Sequence, residues 1–201
     1  MLDWINTLVQ GIMLGGFFAL SGLGLSLSFG IMRIVNIAHG DFLVVASYLG
    51  VVIVAMTGMH PLLAIPIIVP LMFAIGYVLQ RALLNRAIDG SELTPLLITF
   101  GLSIILHNAL QEIFSADFKS LDAGSIEVAS LSLGGINIGW LPLSILIVAI
   151  VIYGGLHRLM NATTFGRIVR ATVDDPEMTS LMGVDTRRVY AIGMGLSMAI
   201  V

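Results

Sequence analysis

Three groups of polar side chains interrupt an otherwise apolar chain, and the chemistry open to them is recognition rather than bond making. In the first, MRIVNIAHGDF, an amide, an imidazole and a carboxylate stand at Asn36, His39 and Asp41, close behind the guanidinium of Arg33. Two readings fit that spacing. In one it is a short turn in which Asn36 or Asp41 caps a helix and Arg33 pairs with Asp41. In the other it is a broken helix whose bare backbone and polar side chains line a passage. The second group, Thr94, Thr99 and Ser103, lies on an apolar segment that ends in His107, Asn108, Gln111 and Glu112. His107 with Gln111 and Asn108 with Glu112 are i, i+4 neighbours, so the segment carries either a polar rim at an aqueous mouth or a vestibule that touches a solute.

The third group is a charged island, TFGRIVRATVDDPEMTSLMGVD over residues 164–185, holding Arg167, Arg170, Asp174, Asp175, Glu177 and Asp185. Asp175 suits a helix N-cap, Pro176 the first helical position, Glu177 the positive end of the dipole and Gly183 a left-handed terminus. Those signals predict a helix of about two turns. On it Met178, Leu181 and Met182 fall at i, i+3 and i+4, an apolar stripe too short to cross a bilayer. Either the stripe folds back on its own bundle, or the helix inserts into a groove of another subunit.

Signatures of catalysis are absent. No G-x-x-x-x-G-K-[ST], H-E-x-x-H or G-x-S-x-G occurs, and the pairs Gly22, Gly24 and Gly193, Gly195 lack the third glycine of a dinucleotide loop. The chain has no cysteine, which excludes disulfides and thiolate metal sites. No enzymatic activity, cofactor, metal site or nucleic-acid partner is expected.

The elements that must position these groups are membrane helices. With 58% hydrophobic residues, 10% charged residues and a mean hydropathy of +1.04, the composition is that of a polytopic helical bundle and excludes a soluble enzyme. Apolar runs long enough to span, at about 20 residues each, cover residues 5–29, 42–59, 62–84, 94–114 and 140–156. A sixth starts near Tyr190 and stops at Val201 after about half a crossing. Because a terminus at mid-bilayer leaves backbone groups unsatisfied, the single domain over residues 1–201 is expected to be incomplete. Asp3, with no basic residue ahead of a long apolar run, argues against a cleaved leader. The expected fold is an all-α transmembrane bundle of about five full spans and the start of a sixth.

Placing the island between Arg158 and Arg188 in the cytoplasm makes the other loops alternate consistently. Arg33, Arg81 and Arg86 then lie inside. The N-terminus and the loop 115–139, which carries Lys119, Asp117, Asp122 and Glu127, lie outside. In that loop Leu131 and Leu133, then Gly134 and Gly135, then Ile136 and Ile138 read as a hairpin at the membrane face. Trp4 and Trp140 are interfacial anchors. Pro66 and Pro70 are expected to bend the third span. Gly11, Gly15, Ala19, Gly22, Ser26 and Gly30 share one face of the first span, which is expected to pack closely on another helix.

Two stretches, GLGLSLSFGIMRIVNIAHGDFLVVASYLG from Gly22 and FGRIVRATVDDPEMTSLMGVDTRRVYAIGMGLSMA from Phe165, resemble the permeases of bacterial ABC importers of the branched-chain amino acid type; TPLLITFGLSIILHN from Thr94 is similar to the same family. The spacings N-x-x-H-G-D and G-R-x-x-R-A-x-x-D-D-P-E carry the likeness. It implies a multi-pass subunit of the bacterial inner membrane for branched-chain or other small amino acids, or for urea or short amides. It also implies a second homologous permease subunit, two ATPase subunits and a periplasmic substrate-binding protein as partners. The segment seated on the ATPase would run from Gly166 to Gly183, with Arg167, Arg170, Asp174, Asp175, Pro176, Glu177, Met178, Leu181 and Met182. Asn36, His39, Asp41, Thr94, Thr99 and Ser103 are the candidates for the translocation path. A self-sufficient channel or ion-coupled carrier is the competing class. It would keep an ionisable group deep in a span, whereas the charges here sit near predicted helix ends. A membrane anchor that recruits a soluble partner is a third.

Overall fold

A computed structural model describes residues 2–87, 93–115, 121, 129–133 and 136–201. Helices dominate: α1 (Leu2–Met32), α2 (His39–Thr57), α3 (Pro61–Ala82), a 3-10 turn (Leu84–Arg86), α4 (Leu93–Phe114), α5 (Trp140–Ala162), α6 (Thr164–Asp174), α7 (Pro176–Leu181) and α8 (Thr186–Ile200). Five of them, α1 to α5, are long and apolar enough to cross a membrane, and the chain is a multi-pass, all-α membrane bundle. Two short strands, β1 (Ser130–Leu133) and β2 (Ile136–Gly139), pair antiparallel with Leu133 opposite Ile136, the hairpin expected from the alternation. Gly134 and Gly135, like Asp117, Lys119, Asp122 and Glu127, lie outside the described residues.

Local chemistry sets the helix ends. Gly58 closes α2 with φ +67 and its N–H on the Val54 carbonyl at 2.8 Å, a conformation that costs glycine little. His60 then caps α3, its Nδ1 accepting from Leu62 N, with Pro61 in the first helical position. Helix α3 runs unbroken through Pro66 and Pro70.

The most enclosed element is α8, in which Val189, Ala191, Gly193, Met194, Gly195, Ser197 and Met198 are buried. It fits between α1 and α3 because glycines let backbones touch. A Cβ at Gly24 would stand 2.8 Å from the Ser197 carbonyl oxygen, and one at Gly76 2.7 Å from that of Met194. Ser197 Oγ donates to the Gly24 carbonyl at 2.6 Å, bonding the two helices where side chains would have separated them. Around this axis Phe42, Ala46, Met72, Leu79, Leu84, Met194 and Met198 form one apolar core, while Leu27, Ile31, Val169 and Val189 form a second.

The packing face of α1 is not the one its small residues suggest. Gly11, Gly15, Ala19, Gly22, Ser26 and Gly30 are all exposed, and no described atom lies within 4 Å of a Cβ built at the four glycines. The buried stripe is Met13, Gly16, Gly24, Leu27 and Ile31, about 130° around the helix. Larger side chains supply the apolar area there, with glycine only where α5 and α8 approach most closely.

Candidate functional site

The break between α1 and α2 is a packed, non-helical segment. Arg33 leaves α1 with φ +55, its N–H on the Phe29 carbonyl at 2.8 Å, and its guanidinium donates to the Val173 carbonyl of α6 at 3.4 Å. It does not pair with Asp41. Asn36 is buried and folds its Oδ1 back onto the N–H of Ala38 at 3.1 Å, a local turn that starts α2. The next amide, Ile37 N, donates to Thr99 Oγ1 of α4 at 3.3 Å. Thr99 is fully buried and returns its own hydrogen to the Leu96 carbonyl, so one hydroxyl joins break and helix. His39 is buried too, its Nε2 3.3 Å from the Ser21 carbonyl and its ring against Gly24.

Asp41 is used differently. Its Oδ2 accepts from Ser103 Oγ at 2.5 Å, and Ser103 is the eleventh of the 22 residues of α4. The carboxylate, in the first turn of α2 as its place near a helix end leads one to expect, is therefore opposite the middle of a second spanning helix. From there a cavity of about 330 Å³ opens between α2 and α4, lined by Asp41, Val44, Tyr48, His107, Leu110, Gln111 and Ser115. That is the lower end of the range for small-molecule sites, roughly 300–1,000 Å³. Its walls are Val44, Leu110 and Tyr48, the last stacked on Phe114 with ring centres 4.2 Å apart. A carboxylate stands at one end and the imidazole and amide of His107 and Gln111 at the other. Such a space suits a small solute with a cationic group and an aliphatic body.

Of the path candidates, Asp41 lines this cavity and Ser103 holds it. Asn36, His39 and Thr99 brace the break from buried positions, and Thr94 sits in the first turn of α4, outside the lining. Val44, Tyr48 and Leu110 were not anticipated. The signal for them was the face shared by residues 41, 44 and 48 on α2 and by 103, 107 and 110 on α4. Among the described residues no three His, Asp or Glu side chains gather as a metal site.

The charged island builds a second site. Thr163 caps α6, its Oγ1 accepting from Gly166 N at 3.1 Å. Gly166 is required because a Cβ there would collide with the backbone of Met160. Arg170 donates to the Met160 carbonyl and Arg167 to Thr164 Oγ1 at 2.9 Å. Both guanidiniums thus brace the segment as well as charging its surface. Val169 and Thr172 are buried, and Phe165, Ile168 and Val173 pack against the second core.

Asp174 ends α6, and Asp175 caps α7 with its Oδ1 on Met178 N at 2.9 Å. Pro176 is the first helical residue and Glu177 stands in the first turn. At the far end Gly183, φ +86, and Val184 return their N–H groups to Ser180 and Thr179, a Schellman closure. The helix has six residues, slightly under two turns, and buries only Thr179. Met178, Leu181 and Met182 are 62%, 77% and 86% exposed. The apolar stripe does not fold back on the bundle.

Comparison with known proteins points the same way. Residues 7–200 match the family described as branched-chain amino acid transport system, permease component. The chain is 27% identical over 202 residues to the high-affinity branched-chain amino acid transport system permease protein BraD of Pseudomonas aeruginosa, covering 94% of this chain and 65% of BraD. It is 28% identical over 213 residues to LivH of Escherichia coli K12, of the same printed function, covering 100% and 69%. A probable branched-chain amino acid transport permease protein LivH of Methanocaldococcus jannaschii is 27% identical over 193 residues, covering 94% and 61%. The chain thus spans about two thirds of the length of these relatives. No solved structure matches it. With its polar break, its capped charged segment and nearly all of its spans inside the matched residues, the chain belongs to the branched-chain amino acid transport system permease family.

Proposed function

We propose that the chain is the membrane permease subunit of an ABC importer that carries branched-chain or other small amino acids, with ATP hydrolysis supplied by partner subunits. The observation that carries this reading is the α7 stripe. Three large apolar side chains are left exposed by a helix capped at both ends, a surface that gains free energy when a partner's groove covers it. Residues 164–185 are the segment seated on the ATPase, in an assembly with a second permease subunit and a periplasmic binding protein. The cavity between α2 and α4 is part of the path, Asp41 receiving the substrate ammonium and Val44, Tyr48 and Leu110 its aliphatic body.

The absence of native cysteine gives a clean test. Single cysteines at positions 178 and 181 in the assembled transporter should form cross-links to the ATPase that change with nucleotide. Proper insertion and assembly with no cross-link at either position would overturn the docking assignment.

One observation favours a second reading, an ion-coupled carrier. The Asp41 carboxylate faces the midpoint of α4, where such carriers keep an ion-binding group. Uptake into liposomes that hold this chain without any ATPase would decide for it.

A further inference from the structure

The polar break leaves the positive end of α2 open. Ala38 stands at the N-cap, where its methyl group accepts nothing, so the first turn has no capping side chain at that position. Asn36 does part of that work from two residues back. Its Oδ1 takes the Ala38 N–H at 3.1 Å, and its carbonyl takes the His39 N–H at 3.2 Å. The next amides, those of Gly40 and Asp41, point out of the same end, where the dipole of a 19-residue helix places partial positive charge.

Two further observations point to a ligand at this end. Asn36 is 3% exposed, and with Oδ1 committed to Ala38 its Nδ2 carries two hydrogens that meet no acceptor among the described residues. A buried donor in that position is costly until an acceptor reaches it. Because the Oδ1 bond lays the planar carboxamide across the first turn, this arm stands at the helix mouth. The second observation is Gly40, exposed between buried His39 and half-buried Asp41, with no described atom within 4 Å of a Cβ built on it. A helical Cβ leans toward the N-terminus, so glycine keeps the approach to the amides clear. The other buried orphan of the break, His39 Nδ1, is an acceptor, since Nε2 must donate to the Ser21 carbonyl, and its ring lies against Gly24 of α1.

We infer that the mouth of α2 binds the carboxylate of an α-amino acid, with Asn36 Nδ2 and the amides of Gly40 and Asp41 as donors. The inference rests on the proposed place of the α2/α4 cavity in the path, with Asp41 holding the ammonium. A half-helix N-terminus at membrane depth suits an anionic solute group, and the break is deep: Ile37 bonds Thr99, about 9 Å along α4 from its first residue. Asp41 in the same turn repels a simple anion, so the ligand must bring a cation with it. In an α-amino acid a single carbon separates the two charges. Both therefore fit within one helical turn, and the aliphatic side chain leaves along Val44, Tyr48 and Leu110. An amine of the same shape leaves the Asn36 donor unpaired, and the break selects against it.

The test is a saturation-transfer NMR titration of the assembled transporter in nanodiscs, without the binding protein. The probes are L-leucine, isopentylamine, which is leucine without its carboxylate, and isocaproate, which is leucine without its ammonium. The wild type should bind leucine about tenfold more tightly than either analogue, the worth of a charge-assisted hydrogen bond. Asn36→Asp keeps an oxygen for Ala38 N and removes the donor, so leucine should weaken about tenfold while isopentylamine binds as well as before or better. Gly40→Ala, whose methyl meets nothing in the fold, should weaken leucine about fivefold by crowding the mouth, with isopentylamine and the thermal midpoint unchanged. No wild-type preference for leucine over isopentylamine would overturn the proposal. So would parallel loss of both ligands in Gly40→Ala, which decides the matter should Asn36→Asp lose both by disturbing the turn. A loss of leucine in Gln111→Leu with none in Asn36→Asp would put the carboxylate at the opposite end of the cavity and refute this site. Asp41→Asn tests the underlying reading separately. It should weaken leucine and isopentylamine but not isocaproate, and unchanged isopentylamine binding would overturn the ammonium assignment while the Asn36 and Gly40 results still judge the carboxylate site.

Discussion

Replacing Leu181 by aspartate separates a docking role from a structural one, because the structure assigns the two roles very different energies. Leu181 is 77% exposed and makes no contribution to either apolar core. Substitution at such a surface position changes folding stability by about 0.5 kcal/mol or less. Its helix keeps both closures, since the Asp175 cap and the Gly183 terminus use other atoms. In a docked complex the accounting reverses. Covering a leucine that is three-quarters exposed is worth about 1.5 kcal/mol, taking roughly 2 kcal/mol for full burial. Putting an unpaired carboxylate into the same groove adds a desolvation cost of about 2 kcal/mol. The sum, about 3–4 kcal/mol, corresponds to a 100- to 1,000-fold weaker association, at roughly 1.4 kcal/mol per tenfold. The variant should be inserted and extracted like the wild type, with an unchanged thermal midpoint. Co-purification with the ATPase and substrate uptake in reconstituted vesicles should both be lost. Normal uptake with normal assembly would refute the docking argument, and a bundle that fails to insert would refute the claim that the stripe is free of its own core.

Asp41→Asn should raise the KM for an amino-acid substrate at least tenfold, because a charge-assisted hydrogen bond to an ammonium is worth about 1.5–3 kcal/mol; an unchanged KM would remove Asp41 from the path. Asp175→Ala deletes the cap that Met178 N uses and should cost about 1 kcal/mol locally, enough to fray a six-residue helix and to halve or worse the ATPase association read by pull-down, with the thermal midpoint of the bundle kept. Gly76→Ala and Gly22→Ala should differ in sign. The first drives a methyl to 2.7 Å from the Met194 carbonyl and should lower stability by about 1–3 kcal/mol. The second meets nothing within 4 Å and should raise it by up to about 1 kcal/mol through helix propensity, as read by thermal unfolding of the isolated chain.

Hydropathy alone places the spans within about three residues of their observed limits, because backbone satisfaction in lipid leaves no other structure for such runs, except that α5 runs on to Ala162, six residues past the expected end. Cap chemistry was equally legible: Asp175, Pro176 and Gly183 do what their types favour. Helix α6 was not foreseen, although Phe165, Ile168, Val169, Thr172 and Val173 follow a helical period and Thr163 stands ready to cap them. The arginines of that segment drew the reading toward surface charge, while their guanidiniums also bond to nearby backbone and hydroxyl oxygens. Composition misled on α1 for a related reason. Small residues allow close approach but supply little contact area, so the face that packs is the one where glycine alternates with Met13, Leu27 and Ile31. The cavity was out of reach because it depends on the depth at which the break meets α4. That depth is set by Ile37 bonding Thr99 and Asp41 bonding Ser103, tertiary contacts that leave no periodic trace.

On the proposed reading, a push on α7 has a short mechanical route to the solute cavity. Gly183 and Val184 join α7 to Asp185, which caps α8, and α8 is the element least able to move alone, being closed on one side by Gly24 and on the other by Gly76. A Cβ at Gly24 would meet three groups, the Ser197 carbonyl of α8 at 2.8 Å, the Val201 side chain just beyond α8 at 3.0 Å and the His39 ring at 3.1 Å. His39 opens α2 two residues before Asp41, so a shift of α8 past Gly24 acts on the end of the helix that carries the carboxylate. Packed backbones transmit such shifts because they cannot deform gradually. Ser197→Ala tests the route, since it removes the 2.6 Å bond to the Gly24 carbonyl without enlarging the side chain. Transport should fall relative to ATP hydrolysis in the assembled transporter, while docking at Met178 and Leu181 is retained. Equal loss of transport and hydrolysis, or loss of neither, would mean that α8 is a passive core helix and that coupling passes through α6 and the Arg33 bond to Val173 instead.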